Sequence, residues 1–149
     1  MNPVEARARH RARAAALQML YQWEVGRMSA ADAMLTYWAT QDDGDAVSEE
    51  HRDFARHLVQ GTIGRIEEID RLLAACAQHW RVERMAVLDR LVMRLATFEL
   101  LAERETPTKV VINEALELAR EFSGDSAVPF VNGVLDGVRR QLQRKLSDE

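Results

Sequence analysis

Four arginines, Arg7, Arg9, Arg11 and Arg13, fall within the first 13 residues of this 149-residue chain. Guanidinium groups at that density do one kind of chemistry well: they hold phosphates through charge-assisted, forked hydrogen bonds. Only Glu5 opposes them, so residues 1–13 carry +3 while the whole chain carries −4, leaving −7 for the rest. A basic arm on an acidic body is a pattern for nucleic-acid contact at one place. Plain surface arginine is the competing reading. In a helix, Arg7 with Arg11 and Arg9 with Arg13 form like-charge i,i+4 pairs, each costing a few tenths of a kcal/mol. A polyanion relieves that repulsion and releases counterions as it binds.

A second candidate site lies at Phe122-Ser-Gly-Asp-Ser-Ala-Val-Pro-Phe130-Val-Asn-Gly133. The pattern predicts helix, Gly-Asp-Ser turn, helix, with Asn132 and Gly133 inside the second helix. Asparagine prefers turns, and glycine costs about 1 kcal/mol in a helix interior, so local rules are broken there. Close helix packing explains this; so does a ligand approaching the backbone. Asp125 and Ser126 head that helix, where exposed amides could meet a phosphate or a base edge, although ordinary N-capping by Ser126 is the plainer role. Tyr21, two turns beyond Arg13, offers either a stacking surface for a base or a core ring.

Catalytic chemistry finds little to use. His51 and His57 are six residues apart, on different faces of a helix, unlike the four-residue spacing of a helical zinc pair. They read, with His10 and His79, as surface or edge histidines. Cys76 falls on an apolar stripe as a small hydrophobe. No phosphate-cradling glycine loop or nucleophile elbow is present, so the expectation is a protein that is not an enzyme and needs no metal or cofactor. A single cysteine and the absence of any long uncharged apolar run fit the cytoplasm and no membrane.

The elements that must position these residues are all helical. The first runs from about Ala8 to Val25, with Ala16, Leu17, Leu20, Tyr21 and Trp23 as its apolar face and Gly26 as its stop. Arg7, Arg11, Gln18 and Gln22 share one polar stripe on it. Ser29 with Asp32 is a capping box for a short helix through Trp38, and Thr40 to Asp45 is a loop by composition. Ser48 opens what should be the longest helix, to about Gln78, with Phe54, Leu58, Thr62, Ile66, Ile69, Leu73 and Cys76 as its core stripe. Trp80 and Arg81 mark a break. A helix follows with Leu88, Leu91, Leu95 and Phe98 on one face, closed by Thr106-Pro107. The last two bury Val111, Ala115, Leu118 and Phe122, then Val131, Val134, Val138 and Leu142. No segment alternates as a strand does, which gives an all-α chain.

Together these residues resemble the NusB family of bacterial transcription antitermination factors. The resemblance is carried by Arg9–Arg13 with the following Ala-Leu-Gln-Met-Leu20-Tyr21-Gln-Trp23, by Leu91–Leu100, by Thr106–Ala115, and most strongly by Glu117–Phe122 leading to Phe130–Asp136. It spans nearly the whole chain and implies a single domain, 1–149, of two packed three-helix subdomains (about 5–79 and 80–145) sharing a long central helix region. It also implies a non-catalytic protein that pairs with NusE, a small-subunit ribosomal protein, and binds the boxA element of nascent RNA. With other Nus factors that pair loads onto RNA polymerase and suppresses termination, notably in ribosomal RNA operons. Carried over residue by residue, Arg9, Arg11 and Arg13 would contact phosphates, with Gln18 and Tyr21 at base level. Arg7, His10, Arg120, Phe122, Asp125, Ser126, Phe130 and Asn132 complete the RNA surface. Glu83 and Asp89 match acidic positions that meet basic groups of NusE. Two departures stand out: His10 interrupts the cluster where many relatives have Arg, and Pro129 stands where a basic residue is common.

Two other readings share the helical fold. It serves as the RNA-binding module of a ribosomal RNA cytosine methyltransferase, which would need a further domain binding S-adenosylmethionine. It could also be a protein–protein adaptor whose arginines are plain surface. Relatives include monomers and homodimers, so a homodimer stays open.

Overall fold

The computed structural model describes residues 2–41, 47–78 and 80–147. Among them are seven α-helices and no strand, in two compact units that divide between Ile63 and Gly64. The sequence expectation had placed that division near residue 79. The loop expected over Thr40 to Asp45, and His79, lie largely outside the described residues.

The first unit holds α1 (Pro3–Glu24), α2 (Ala30–Thr40) and α3 (Glu49–Gly64). Helix α1 starts earlier than expected because Asn2-Pro3 is a strong start signal. The Asn2 side chain accepts from the Glu5 amide at 2.8 Å, and Pro3 occupies the first turn, where a missing N–H is harmless. Ala12, Ala15, Ala16, Leu17, Met19 and Leu20 are buried. At the far end Gly26 permits a close approach: a Cβ there would lie 2.6 Å from Gln22 Oε1 and 2.8 Å from the Gln22 carbonyl oxygen. Ser29 caps α2 as its sequence signature indicates, accepting from the Asp32 amide at 3.1 Å.

The second unit holds α4 (Ile66–Cys76), α5 (Val87–Ala102), α6 (Thr108–Phe122) and α7 (Val128–Ser147), with short 3-10 turns at Val82–Arg84 and Asp125–Ala127. The single long helix expected from Ser48 to Gln78 is therefore two, and the longest helix is α1, with 22 residues. The interruption is Arg65 (φ −115°, ψ 23°), directly after Gly64. Glycine weakens the helix there, and Glu67 and Glu68 favour a fresh N-terminus. Arg65 closes the break by forking onto Glu68 at 2.9 and 3.0 Å. The apolar stripe keeps its period across it, with Leu58, Thr62, Ile69 and Leu73 all buried. The second unit thus has four helices rather than three.

Helix α5 is the centre of this unit and packs against α4, α6 and α7. Every residue from Arg90 to Glu99 is buried, so it is wrapped all round, not only along its Leu91, Leu95 and Phe98 face. Buried charge needs partners. Arg94 forks onto Asp70 of α4 through two bonds of 2.8 Å. Arg90 donates to the carbonyls of Val82 and Met85 at 3.3 and 3.4 Å, pinning the turn between them. Pro107 caps the start of α6 instead of closing α5, which ends at Ala102.

Close helix packing is real on α7, but at a different glycine from the one the sequence singles out. A Cβ on Gly137 would sit 3.1 Å from Cys76 Cβ, whereas one on Gly133 would meet nothing within 4 Å. Gly133→Ala should therefore stabilise the protein by up to about 1 kcal/mol, and Gly137→Ala should gain less or destabilise. Thermal melts of the two variants check this, and equal shifts would contradict it. Asp70→Ala, which removes the forked partner of the buried Arg94 guanidinium, should lower unfolding free energy by about 3 kcal/mol in urea denaturation. An unchanged midpoint would mean the pair contributes nothing.

Candidate nucleic-acid interface

The four arginines of α1 do not form one patch. Arg7 and Arg11 are exposed, while Arg9 is half-buried and Arg13 is only 3% exposed. The physical cause is Phe54 on α3. The guanidinium carbon of Arg9 lies 4.0 Å from the ring centroid and that of Arg13 lies 5.4 Å from it. Both are within cation–π range, so the ring's negative face offsets the i,i+4 repulsion within this pair. Arg9 Nε is buried without a hydrogen-bond partner, consistent with stacking rather than edge-on bonding. Arg13, expected as a phosphate contact, is instead an internal prop, and Arg9 is half committed to the same role. Arg7 and Arg11 stay on the exposed side of the helix.

Glu5, the one carboxylate of the arm, is drawn away from the arginines. His51 Nε2 lies 3.1 Å from Glu5 Oε1, and His51 Nδ1 lies 2.7 Å from Ser48 Oγ. His51, expected as a surface or edge histidine, is thus a partly covered tether between α1 and α3, its side chain 12% exposed. His57 is exposed and His10 half-buried. Gln18, also exposed, donates to the Ala14 carbonyl at 3.2 Å and bonds the Tyr37 hydroxyl of α2. Burial holds that hydroxyl above its ordinary range, while Gln18 and the Arg11 charge pull it back. Tyr21, expected on the apolar face, has 37% of its surface open.

The second cluster lies wholly in the second unit. Helix α6 ends at Phe122, and Gly124 turns the chain with φ +118°, a conformation that L side chains rarely adopt. The Asp125–Ala127 turn runs straight into α7, and its N-cap is Gly124 without a side-chain bond. Asp125 and Ser126 lie on this turn and are both exposed. Arg120 ties the corner together, 2.6 Å from Glu117 and 3.4 Å from Asp125. Phe122 and Phe130 are half-buried and Asn132 is exposed. Pro129 sits in the first turn of α7, where proline is harmless. Glu83 is exposed on the turn that Arg90 pins, and Asp89 accepts from the Ser123 hydroxyl.

Two functional features escape sequence reading. Phe54 looks like a core residue because its charged partners lie far away along the chain. Trp80, read only as a break, is 57% exposed and meets Phe130 edge-to-face at 6.0 Å between centroids. Its flanking arginines, Arg81 and Arg84, were the available signal. Among the described residues no group of three or more His, Cys, Asp or Glu could hold a metal ion, and no helix is long and apolar enough to cross a membrane.

Two small helical units that offer solvent arginines and open aromatic rings define an all-helical binding protein. The chain belongs to the NusB family, whose model matches residues 10–140. It is 45% identical over 139 residues to the transcription antitermination protein NusB of Koribacter versatilis, covering 93% of each chain. To that of Solibacter usitatus it is 43% identical, covering 91% of this chain and 90% of the other. Its fold is similar to that of T. maritima NusB, with TM-score 0.78 and 32% identity over 89% and 91% of the two chains. A NusB chain solved with NusE and double-stranded RNA shares the fold at TM-score 0.80 and 24% identity, over 91% and 98% of the chains.

The split among the arginines has a measurable consequence. Arg13→Ala should lower stability by about 1–2 kcal/mol, through lost packing and cation–π contact, and Arg7→Ala by less than about 0.5 kcal/mol. Urea denaturation of both variants decides it, with matching midpoints counting against the Phe54 shelf.

Proposed function

We propose that this chain is a non-catalytic transcription antitermination factor that pairs with NusE and binds boxA RNA in nascent ribosomal RNA transcripts. The observation that carries the reading is the division of labour on α1. Arg7 and Arg11 stay exposed and Tyr21 half-open, while Glu5, which would otherwise neutralise them, is held by His51. Exposed cationic charge on the same helix as an accessible ring suits single-stranded RNA, whose backbone is held by cations and whose bases stack. In this reading Arg7 and Arg11 hold phosphates, with Arg9 reaching them partially, and Gln18 and Tyr21 lie at base level. Phe122, Asp125, Ser126, Phe130 and Asn132 supply the second RNA-facing segment, with His10 belonging to the first and Arg120 to the second.

The partner reading rests on charge. With the arm set aside the chain is acidic, and a basic protein would dock there and bring phosphate contacts of its own. Glu83, exposed on a pinned turn, is positioned for that role. Asp89 serves it less directly, since Ser123 already occupies its carboxylate. Such a factor works with other Nus proteins on RNA polymerase, in the cytoplasm.

The test is fluorescence anisotropy with labelled boxA RNA, with and without NusE, at two salt concentrations. Binding should be selective for boxA, tighten with NusE and weaken with salt. Arg7→Ala and Arg11→Ala together should reduce affinity about tenfold without moving the melting temperature. Binding that is equally tight and equally selective without NusE would refute the partnership, and no binding by the folded protein would refute the RNA reading.

A further inference from the structure

Helix α7 carries a surface that the two clusters above touch only at Phe130. Phe130, Gly133, Gly137, Arg140 and Arg144 recur at spacings of three and four, so they share one face. With the end of α4 and Trp80 they line a groove of about 480 Å3, contained entirely in the second unit. One end is aromatic, where Trp80 stands 57% exposed against the Phe130 ring. The other end is basic, with Arg140 and Arg144 both exposed. Arg140 is shared with Asp136 at 2.7 Å, but Asp136 also receives Arg139 at 2.7 Å, so the cluster keeps excess positive charge. No carboxylate is among the described lining residues.

Gly133 lines the middle of this groove. It sits in a helix interior, is exposed, and packs against nothing that a Cβ would strike. Its weakening of the helix therefore has no return in packing, while any larger side chain would stand in the groove. Gly137 is different, because Cys76 lies directly against it.

We propose that this groove is a second RNA track, continuing from the Phe130 corner along α7. Trp80 stacks a base, the open backbone at Gly133 admits the strand, and Arg140 and Arg144 hold phosphates. From Phe130 to Arg144 the track is roughly 20 Å long, so it engages nucleotides outside a minimal recognition element. Rings at one end and cations at the other suit unpaired RNA, which needs both a stacking surface and phosphate contacts; an acidic protein segment would leave the Trp80–Phe130 ridge without a flat partner. The inference rests on the RNA-binding function proposed above.

The test uses the full chain and three labelled single-stranded RNAs: boxA alone, and boxA extended by about ten nucleotides at its 5′ or its 3′ end. One extension should tighten wild-type binding about tenfold or more. The double variant Arg140→Ala/Arg144→Ala should remove that gain and lower the salt slope on the extended RNA by about 1.4, the loss of two single-strand phosphate contacts. Gly133→Leu should also remove it, with Gly133→Ala, expected to be stable, retaining most of it. Affinity for boxA alone should be unchanged in all three, and circular dichroism and melting confirm folding. If neither extension tightens wild-type binding, or if the arginine variant keeps the gain, the groove is not an RNA track and serves a protein or nothing. If the wild type binds none of the three RNAs, the RNA-binding function itself fails and the track falls with it.

Discussion

Burying a charged helix is the constraint around which the second unit is arranged. Helix α5 is enclosed from Arg90 to Glu99 and still carries ionic side chains, each of which must recover outside water the interactions it had within it. Arg94 does so by gripping α4 through Asp70, and Arg90 by gripping backbone carbonyls on both sides of Glu83. An apolar helix of the same volume could slide in its sheath; one with two directional anchors fixes the register of α4 and the course of the Val82–Arg84 turn. Surface features then inherit that order. Trp80 precedes the pinned turn and Glu83 lies on it, so the residues offered to solvent are set by guanidinium groups that solvent barely reaches.

The first unit solves a related problem with an aromatic ring. Arginines crowded on one helix repel each other, and Phe54 accepts two of them on its face. The residues left outside are therefore not an average of the cluster but a chosen subset, with His51 engaging Glu5, the carboxylate of the arm itself. This is how a sequence with net negative charge presents a positive face. The fold sorts charges that composition merely counts.

Local order was readable from the sequence, and long-range order was not. Periodic apolar positions located α1, α5, α6 and α7, and the Ser29 capping box located α2, because such signals need only a few neighbouring residues to declare themselves. The Arg65 break was hidden: the apolar stripe continues in phase through it, and a lone glycine in a helical pattern is a weak stop signal. Arg13 was misjudged because burial depends on Phe54, which no short window contains. At the Phe122–Phe130 corner the oddity of a helical glycine was visible, but its meaning was not. Only coordinates separate Gly137, which is small so that Cys76 can approach, from Gly133, which has no such neighbour.

The Phe54 shelf also ties three sequence positions into one evolutionary unit. An aliphatic residue at position 54 would take the aromatic face away from two guanidinium groups, one of them almost fully enclosed. Loss of either arginine would in turn leave the ring facing a gap. Substitutions at 9, 13 and 54 are therefore felt at one another, whereas the exposed Arg7 lies outside that group.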